Sequence, residues 1–548
     1  PSPPRVFRVT GAVGDSVSDD TTAIQEVLNQ AGEAGGGVVV LPAGVFAVTK
    51  TVEVPAGVVL QGAGREATSV IVSPLNPSND GTLMLLRTRT GLQDLGVIAG
   101  PGVEINVRVE DQPMVEDVFL RRVKIENTHA YLWDREATKW KNSDFGLYVN
   151  ASSRGFRLLQ SVIKAPMTFR MEGYQRRHRY ARIAGNYFET YPHHEQDNVF
   201  LLTLSESVFE NNVMAYGHRA FTSQRGMWRN FIADNQVLDV RGVDNGSEMF
   251  MSEYGHSFYD GSIKPTGVAD ASLGLPDTVD ANVMNQLRDH REEQELYALV
   301  AAGRGFGQFR KVIGQDGRQL MLDQPWRIAL DAGSEVILLT ATAQNLFLNN
   351  ASTTGRGVYA FFYGSAINNI VSGNEASGGG VTPIWLSAVA ESGTAVLAYN
   401  SLVNNRLVRN GGINLGALDS NRDAGRDPLV IGNRIIRNQV WRPGENGSPN
   451  QYYASWNWLR GWNAGHGWTE PGSRKGIAIW NGSYNVIENN YIDEAEAGIY
   501  LGGGRGRNAS DAPVNGNVIR WNRIERTRTP VDNEGKSTFV QPPDYQSH

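Results

Sequence analysis

Short runs of alternating apolar and polar residues recur along this chain, each with an asparagine at a fixed place. Two or three apolar or β-branched residues, a short polar step, an asparagine, one variable residue and an apolar residue make the unit. It appears in Ala181 to Asn186, Val208 to Asn212, Phe231 to Asn235 and Ile370 to Asn374. It returns around Asn400, Asn433, Asn490 and Asn522, the last two inside the near-copies Asn485-Val486-Ile487-Glu488-Asn489-Asn490 and Asn517-Val518-Ile519-Arg520-Trp521-Asn522. The separations are 26 residues from Asn186 to Asn212, 23 to Asn235, 26 from Asn374 to Asn400, 33 to Asn433, and 32 from Asn490 to Asn522. A period of this length with strand-like alternation predicts a β-solenoid, each coil pairing its short strands with the coils above and below. Asparagine suits the bend because its amide bonds nearby backbone, tolerates left-handed dihedrals and stacks from coil to coil. These asparagines are read as structural, one per coil.

Two intervals break the period. The 139 residues from Asn235 to Asn374 exceed one coil, which predicts an insertion over 254–342. It holds a helix-compatible stretch, Asp280 to Leu299, and then the alternating segments Phe306 to Ile313 and Leu320 to Asp323, the pattern of a small β subdomain. The 57 residues from Asn433 to Asn490 hold a loop carrying Tyr452, Tyr453, Trp456, Trp458, Trp462 and Trp468. So much aromatic surface is costly in water unless it packs or binds something, so the loop is read as a groove wall or lid. Trp133 to Trp140 would form the opposite wall.

Before the coils, Asp19-Asp20-Thr21-Thr22 offers N-cap side chains to the amphipathic run Ala23 to Ala31, and Gly35-Gly36-Gly37 stops it. Strands follow at Val38 to Leu41, Val45 to Val48 and Val58 to Gln61. A helix here would cover the open end of the solenoid. The segment Gly11-Ala12-Val13-Gly14-Asp15, Asp19 to Gln25, Gly35 to Gly44 and Gly57 to Gly64 resembles the opening motif of the pectate-lyase-like β-helix superfamily. That superfamily includes polygalacturonase-like glycosidases, polysaccharide lyases and phage tailspikes. The resemblance implies an all-β, right-handed parallel β-helix with a capping helix, and a polysaccharide or oligosaccharide substrate. It does not carry over a set of catalytic residues. The expected organisation is a cap with first coils over 1–64, β-helix over 65–253, the inserted subdomain over 254–342, β-helix again over 343–537, and a tail over 538–548.

Alternation along the strands of this stack places Val358, Ile384, Leu386, Ile477, Ile479, Ile499 and Leu501 inside, so Tyr359, Phe361, Trp385, Trp480 and Tyr500 face out. Stacked aromatics on an outer face form a ribbon for sugar rings and favour a neutral glycan. Tyr359, Trp385, Trp480 and Tyr500, with Trp456 and Trp458 of the loop and His218 and Arg219, are the expected substrate-binding residues.

Acids and bases cluster over 189–260, on consecutive coils where carboxylates distant in sequence can approach within the roughly 5–9.5 Å that glycoside hydrolysis requires. Glu253 and Glu248, with Asp197, are the expected catalytic set. The two glutamates differ by five, which predicts opposite faces of a straight strand unless one lies at a bend. The reading is a glycoside hydrolase. The alternatives are a polysaccharide lyase acting on a uronic-acid glycan, with Arg170, His218 or Arg219 as base, and a non-catalytic tailspike-like glycan-binding protein. His193, His194, Glu195 and Asp197 are too close in sequence to converge readily on one ion. No metal or cofactor is required, and calcium on carboxylates and loop carbonyls is the one ion left room for.

Composition narrows the classes. Zero cysteines excludes disulfides, thiolate metal sites and cysteine nucleophiles. A net charge of -6 argues against a nucleic-acid partner, and the run Arg176-Arg177-His178-Arg179 is read as a solvated turn. The chain has no apolar run of spanning length and opens on Pro1-Ser-Pro-Pro. The expectation is a mature secreted or periplasmic bacterial protein with no membrane partner, as a monomer or a homo-oligomer such as a trimer.

Overall fold

A computed structural model of the chain describes residues 4–73, 81–100, 103–111, 113–127, 133–134, 139–140, 145–172, 177–191, 197–217, 219–240, 248–253, 271–352, 358–377, 384–388, 394–408, 412–417, 429–442, 475–502, 514–535 and 537–541. The fold is a right-handed parallel β-helix. It divides into two compact units, Pro1–Thr222 with Phe231–Val243, and Ser223–Asn230 with Asp244–His548.

In the first unit each coil lays one strand on each of three parallel sheets. One coil runs through Arg157–Leu159 on the first sheet, Val162–Lys164 on the second and Met167–Met171 on the third. These pair with Arg182–Ala184, Tyr187–Glu189 and Asp197–Ser205 of the next. The interior is filled by a column of rings: Phe156, Phe169, Phe188 and Phe209 stack at 5.8, 6.2 and 6.4 Å between centroids, and Phe221 closes the column edge-on at 5.0 Å. Within one bend of this unit Asn186 donates to Asn212, and Asn212 to Asn235.

The capping helix spans Thr21–Glu33 and buries Thr21, Ile24, Leu28 and Ala31. Its cap differs from expectation. Asp20 makes no capping bond; its carboxylate accepts instead from the backbone of Val13 and Gly14, fixing the preceding turn. The amide of Gln25 donates to the backbone carbonyl of Glu53 and accepts from its N–H, both at 2.9 Å. The helix thereby satisfies backbone groups of Val52–Val54, the first strand of the third sheet.

In the second unit the bends carry two asparagine ladders rather than one. Asn230, Asn345, Asn369, Asn400, Asn433, Asn485 and Asn517 form the first, and Asn350, Asn374, Asn405, Asn438, Asn490 and Asn522 the second. Asn374 and Asn400 therefore belong to different ladders, so their separation is not a coil length. The coil separations there are 31 residues, Asn369 to Asn400 and Asn374 to Asn405. The left-handed dihedral also sits elsewhere than expected. It falls on the residue before each ladder asparagine, as at Gln344, Asn368, Tyr399, Asn404, Arg437, Asn489 and Trp521, leaving the asparagine to face inward and bond. The strand directly after the second-ladder asparagines belongs to the second sheet, and the stack expected to carry the site is the third.

The stretch read as helix over Asp280 to Leu299 is split between helix Ala281–Glu293 and strand Leu296–Ala302. That strand lies between two others in an antiparallel sheet ordered Ser272–Gly274, Gln319–Leu322, Phe309–Asp316, Leu296–Ala302, Glu335–Thr340. Both of its faces are buried. Leu296, Ala298 and Val300 join the core of this sheet with Leu287, Leu320 and Leu338. Tyr297 and Leu299 join Ile337 and Leu339 against Trp228, Ile367, Val396 and Ile431. A strand covered on two sides reads as a continuous apolar run, which resembles buried helix in sequence. Next to it Glu295, whose side chain is 1% exposed, accepts from both terminal nitrogens of Arg229 and from Lys311 at 2.6 Å, and from the Tyr297 hydroxyl at 2.9 Å. Burial alone pushes Glu295 up, but the bonds from Arg229 and Lys311 outweigh it and bring the carboxyl down to about 2.

Candidate functional site

The outer face of the third sheet in the first unit concentrates charged, polar and aromatic side chains. Successive strands Thr82–Leu86, Ile105–Val109, Phe145–Val149, Met167–Met171 and Asp197–Ser205 are in register, so Leu85, Arg108, Tyr148, Arg170 and Phe200 form one outward row. Interior residues Val107, Leu147, Phe169 and Val199 form the row behind it, all fully buried. Just past the strand ends Glu110, Asn150 and Glu172 make a second polar row.

The two rows are joined. Arg170 forks onto Glu172 with Nε at 2.6 Å and Nη2 at 2.8 Å, and its guanidinium lies over the rings of Phe200 at 4.7 Å and Phe145 at 5.5 Å. The Tyr148 hydroxyl lies 3.3 Å from an acceptor oxygen of Glu172 and 3.3 Å from that of Asn150, its one proton within reach of either; Asn150 donates to Glu110 at 3.2 Å, and Arg108 pairs with Glu110 at 2.8 Å. Burial, followed by the Glu172 charge, pushes the Tyr148 phenol above its ordinary value, with Arg170 opposing in part. Further along the sheet, Asp197 and Arg219 are brought together at 3.8 Å, with side chains 11% and 17% exposed.

The other expected site residues fall as follows. Glu248 and Glu253 stand at opposite ends of one strand, paired with Val358 and Tyr363, with no bend between them; their side chains lie outside the described residues. Tyr359 and Trp385 are on adjoining strands of the same sheet, described by backbone alone. Trp480 and Tyr500 do lie off the interior, alternating with buried Ile477, Ile479, Ile499 and Leu501. Yet they are no open ribbon: each is only 7% exposed, their rings pack at 4.6 Å, and the Lys475 ammonium sits 4.7 and 4.0 Å from the two ring centres. Aromatics in consecutive coils cover one another, which alternation alone does not reveal. Trp456, Trp458, His218, and His193 to Glu195 lie outside the described residues. Trp133–Asp134 and Lys139–Trp140 pair as an antiparallel hairpin.

The basic run over 176–179 is not simply a solvated turn, since His178 is fully buried with Nδ1 2.9 Å from the Ser153 hydroxyl. Among the described residues no group of three or more His, Cys, Asp or Glu is placed to hold a metal, and no helix is long and apolar enough to cross a membrane.

Tyr148, Glu172, Glu110 and Arg108 were not singled out from sequence. A signal existed: Arg108-Val109-Glu110, Tyr148-Val149-Asn150 and Arg170-Met171-Glu172 repeat polar, apolar, polar at the same strand end. Residues 6–88 match the family described as rhamnogalacturonase A/epimerase, pectate lyase-like, over the segment whose motif resembles that superfamily. No curated protein matches the chain. Among solved structures, a Dettilon tailspike protein is similar at 12% identity and TM-score 0.46, covering 90% of this chain and 68% of that one. The A-module of mannuronan C-5 epimerase AlgE4 from Azotobacter vinelandii is similar at 13% and 0.40, covering 98% and 100%. DFA-IIIase from Arthrobacter chlorophenolicus A6 in complex with DFA-III is similar at 12% and 0.43, covering 89% and 95%. The parallel β-helix is read from this chain's own sheets, and the family match is confined to residues 6–88.

Proposed function

We propose that the protein is a carbohydrate-active enzyme that lays a polysaccharide or oligosaccharide along the outer face of the third sheet and cleaves its glycosidic bonds by hydrolysis. The observation that carries this reading is the register of that face. Donors, acceptors and a phenol recur on successive strands about 4.8 Å apart, a spacing on which a chain of pyranose rings can find repeated contacts. Hydrolysis needs an ionised carboxylate and a protonated acid flanking the bond. Asp197, 3.8 Å from Arg219, is assigned the role of base or nucleophile. Glu253 and Glu248, which belong to the second unit, are the acid candidates of the sequence reading and are tested by variants of their own.

A second reading, β-elimination on a uronic-acid glycan, has one observation in its favour: the Tyr148 phenol lies in the same network as Arg170, so a proton carrier and a cation are adjacent. A secreted or periplasmic location follows from either reading, and the oligomeric state is left as monomer or homo-oligomer.

The test is turnover on a glycan panel, read both as new reducing ends and as the ultraviolet band of unsaturated uronates. New reducing ends without the band are expected. Asp197→Asn should lower turnover by about 10²–10⁴, the usual contribution of an acid–base group. Appearance of the band would replace hydrolysis by elimination. Unchanged turnover in Asp197→Asn, Glu248→Gln and Glu253→Gln would remove the assigned residues.

A further inference from the structure

The polar groups on the third-sheet face form one continuous chain. It runs from Arg108 to Glu110, to Asn150, to Tyr148, to Glu172 and to Arg170, each link between 2.6 and 3.3 Å. It crosses three strands, about 10 Å at the usual spacing, or roughly two sugar residues. Partly exposed ion pairs contribute little to stability, so folding alone does not account for three of these coils carrying such a network at one strand end.

Among the described residues of this face, four arginines are each paired with a carboxylate. Arg87 pairs with Glu53 at 2.8 Å, Arg108 with Glu110 at 2.8 Å, Arg170 with Glu172 at 2.6 Å and Arg219 with Asp197 at 3.8 Å. Arg170 is further held by the rings of Phe145 and Phe200, so it cannot swing away from Glu172 without losing both aromatic contacts. A uronate residue keeps donating hydroxyls but adds a carboxylate, one negative charge with acceptor oxygens only, whose recognition calls for arginine or lysine not already neutralised. A sugar hydroxyl both donates and accepts, and a surface that alternates guanidinium, carboxylate, amide and phenol offers both partners side by side.

We propose that the network from Arg108 to Glu172 is a binding subsite for an uncharged glycan, and that the substrate is therefore a neutral polysaccharide or oligosaccharide rather than a polyuronate. This rests on the glycan-binding reading above and narrows it: a neutral substrate cannot undergo β-elimination, because that reaction needs the carboxyl group to acidify the neighbouring carbon.

The experiment is affinity electrophoresis of the full chain in gels containing a uronic-acid polysaccharide, its carboxyl-reduced counterpart with the same linkages, or a set of neutral glucans, galactans and fructans, at low and at high salt. Retardation by neutral glycans, insensitive to salt, is expected. Glu172→Gln should weaken that retardation by about tenfold, the loss of one charge-assisted bond, and should create a new, salt-sensitive retardation by the polyuronate. Tyr148→Phe, which removes a hydroxyl and no charge, should weaken neutral binding and create none to the polyuronate. It serves as the independent variant if Glu172→Gln does not fold. Retardation of the wild-type chain by the polyuronate and not by its carboxyl-reduced form would overturn the proposal while leaving a glycan-binding face. Retardation by none of the glycans would overturn the glycan reading itself.

Discussion

The two units hold one coil upon the next by different means. In the first, a column of phenylalanine rings from Phe156 to Phe221 fills the interior, and one bend carries a short run of asparagines. In the second, both bends carry asparagine ladders, and apart from the edge-on pair Phe347 and Phe362 the interior beside them is largely aliphatic, with Ile384, Leu386, Ile413, Leu415, Ile477, Ile479, Ile499 and Leu501 buried. Ring stacking is tolerant of angle and offset, whereas an amide ladder demands one geometry and leaves buried donors orphaned if a rung is lost. The strictly periodic unit should therefore be the more brittle to single substitutions.

The largest effect should come from breaking a rung. Asn405 accepts from the backbone and side chain of Asn374 and donates to Asn438 and to the Val371 carbonyl, all within 3.1 Å in the interior. Asn405→Ala strands donors and acceptors on both neighbouring coils, each costing about 1–3 kcal/mol when buried, so a loss of about 4 kcal/mol or more is expected. Its measure is the denaturant midpoint. A loss below about 1 kcal/mol would mean that water replaces the rung and that the ladder is no more demanding than stacked rings.

The brittleness of the ladder also explains what could be read in the sequence. A residue that must be asparagine at every coil leaves a visible period, and the solenoid and its insertion followed from it, while the capping helix was legible in the amphipathic run Ala23 to Ala31. The count of ladders did not, because Asn374 and Asn400 are spaced like one coil although they stand on different bends. The site was legible only in part. Asp197 and Arg219 were singled out and are brought together, but Tyr148 and Glu172 were passed over, because their strands depart from the asparagine pattern and their partnership exists only once Phe145–Val149 pairs with Met167–Met171. The aromatic ribbon failed at Trp480 and Tyr500 for the converse reason: alternation tells which face a side chain takes and nothing of what covers it.

Acid should separate the units next. His178 in the first is buried and its pKa is driven down to about 3 from the ordinary 6.5 by loss of hydration. The unfolded chain then binds a proton that the folded unit refuses, so stability is complete above about 6.5 and falls with pH, by about 3 kcal/mol at pH 4.5. Glu295 in the second is lowered from 4.5 to about 2, so its contribution, also about 3 kcal/mol, is intact above about 4.5 and is lost progressively as pH falls from about 4.5 to about 2. Hydrogen exchange of peptides from each unit, followed from pH 7 to 3, should show the first unit loosening before the second. His178→Gln should abolish that early loss. If the second unit loosened first, Glu295 and its partners would not be its acid-resistant anchor.

The smallest effect should come from trimming a ring in the column. Phe188 stacks between Phe169 and Phe209 at 6.2 and 6.4 Å and is fully buried. Phe188→Leu keeps the site apolar, leaves no polar group unmet and exchanges two ring contacts for aliphatic ones over a modest void. A loss of about 1–2 kcal/mol is expected, well under that of Asn405→Ala. The two variants together test the contrast between the units, because both remove one side chain from the middle of a coil-to-coil column. If Phe188→Leu cost as much as the broken rung, the ring column would be as exacting as the ladder. The periodicity of the second unit would then reflect repetition of the coil and not the geometric demands of its asparagines.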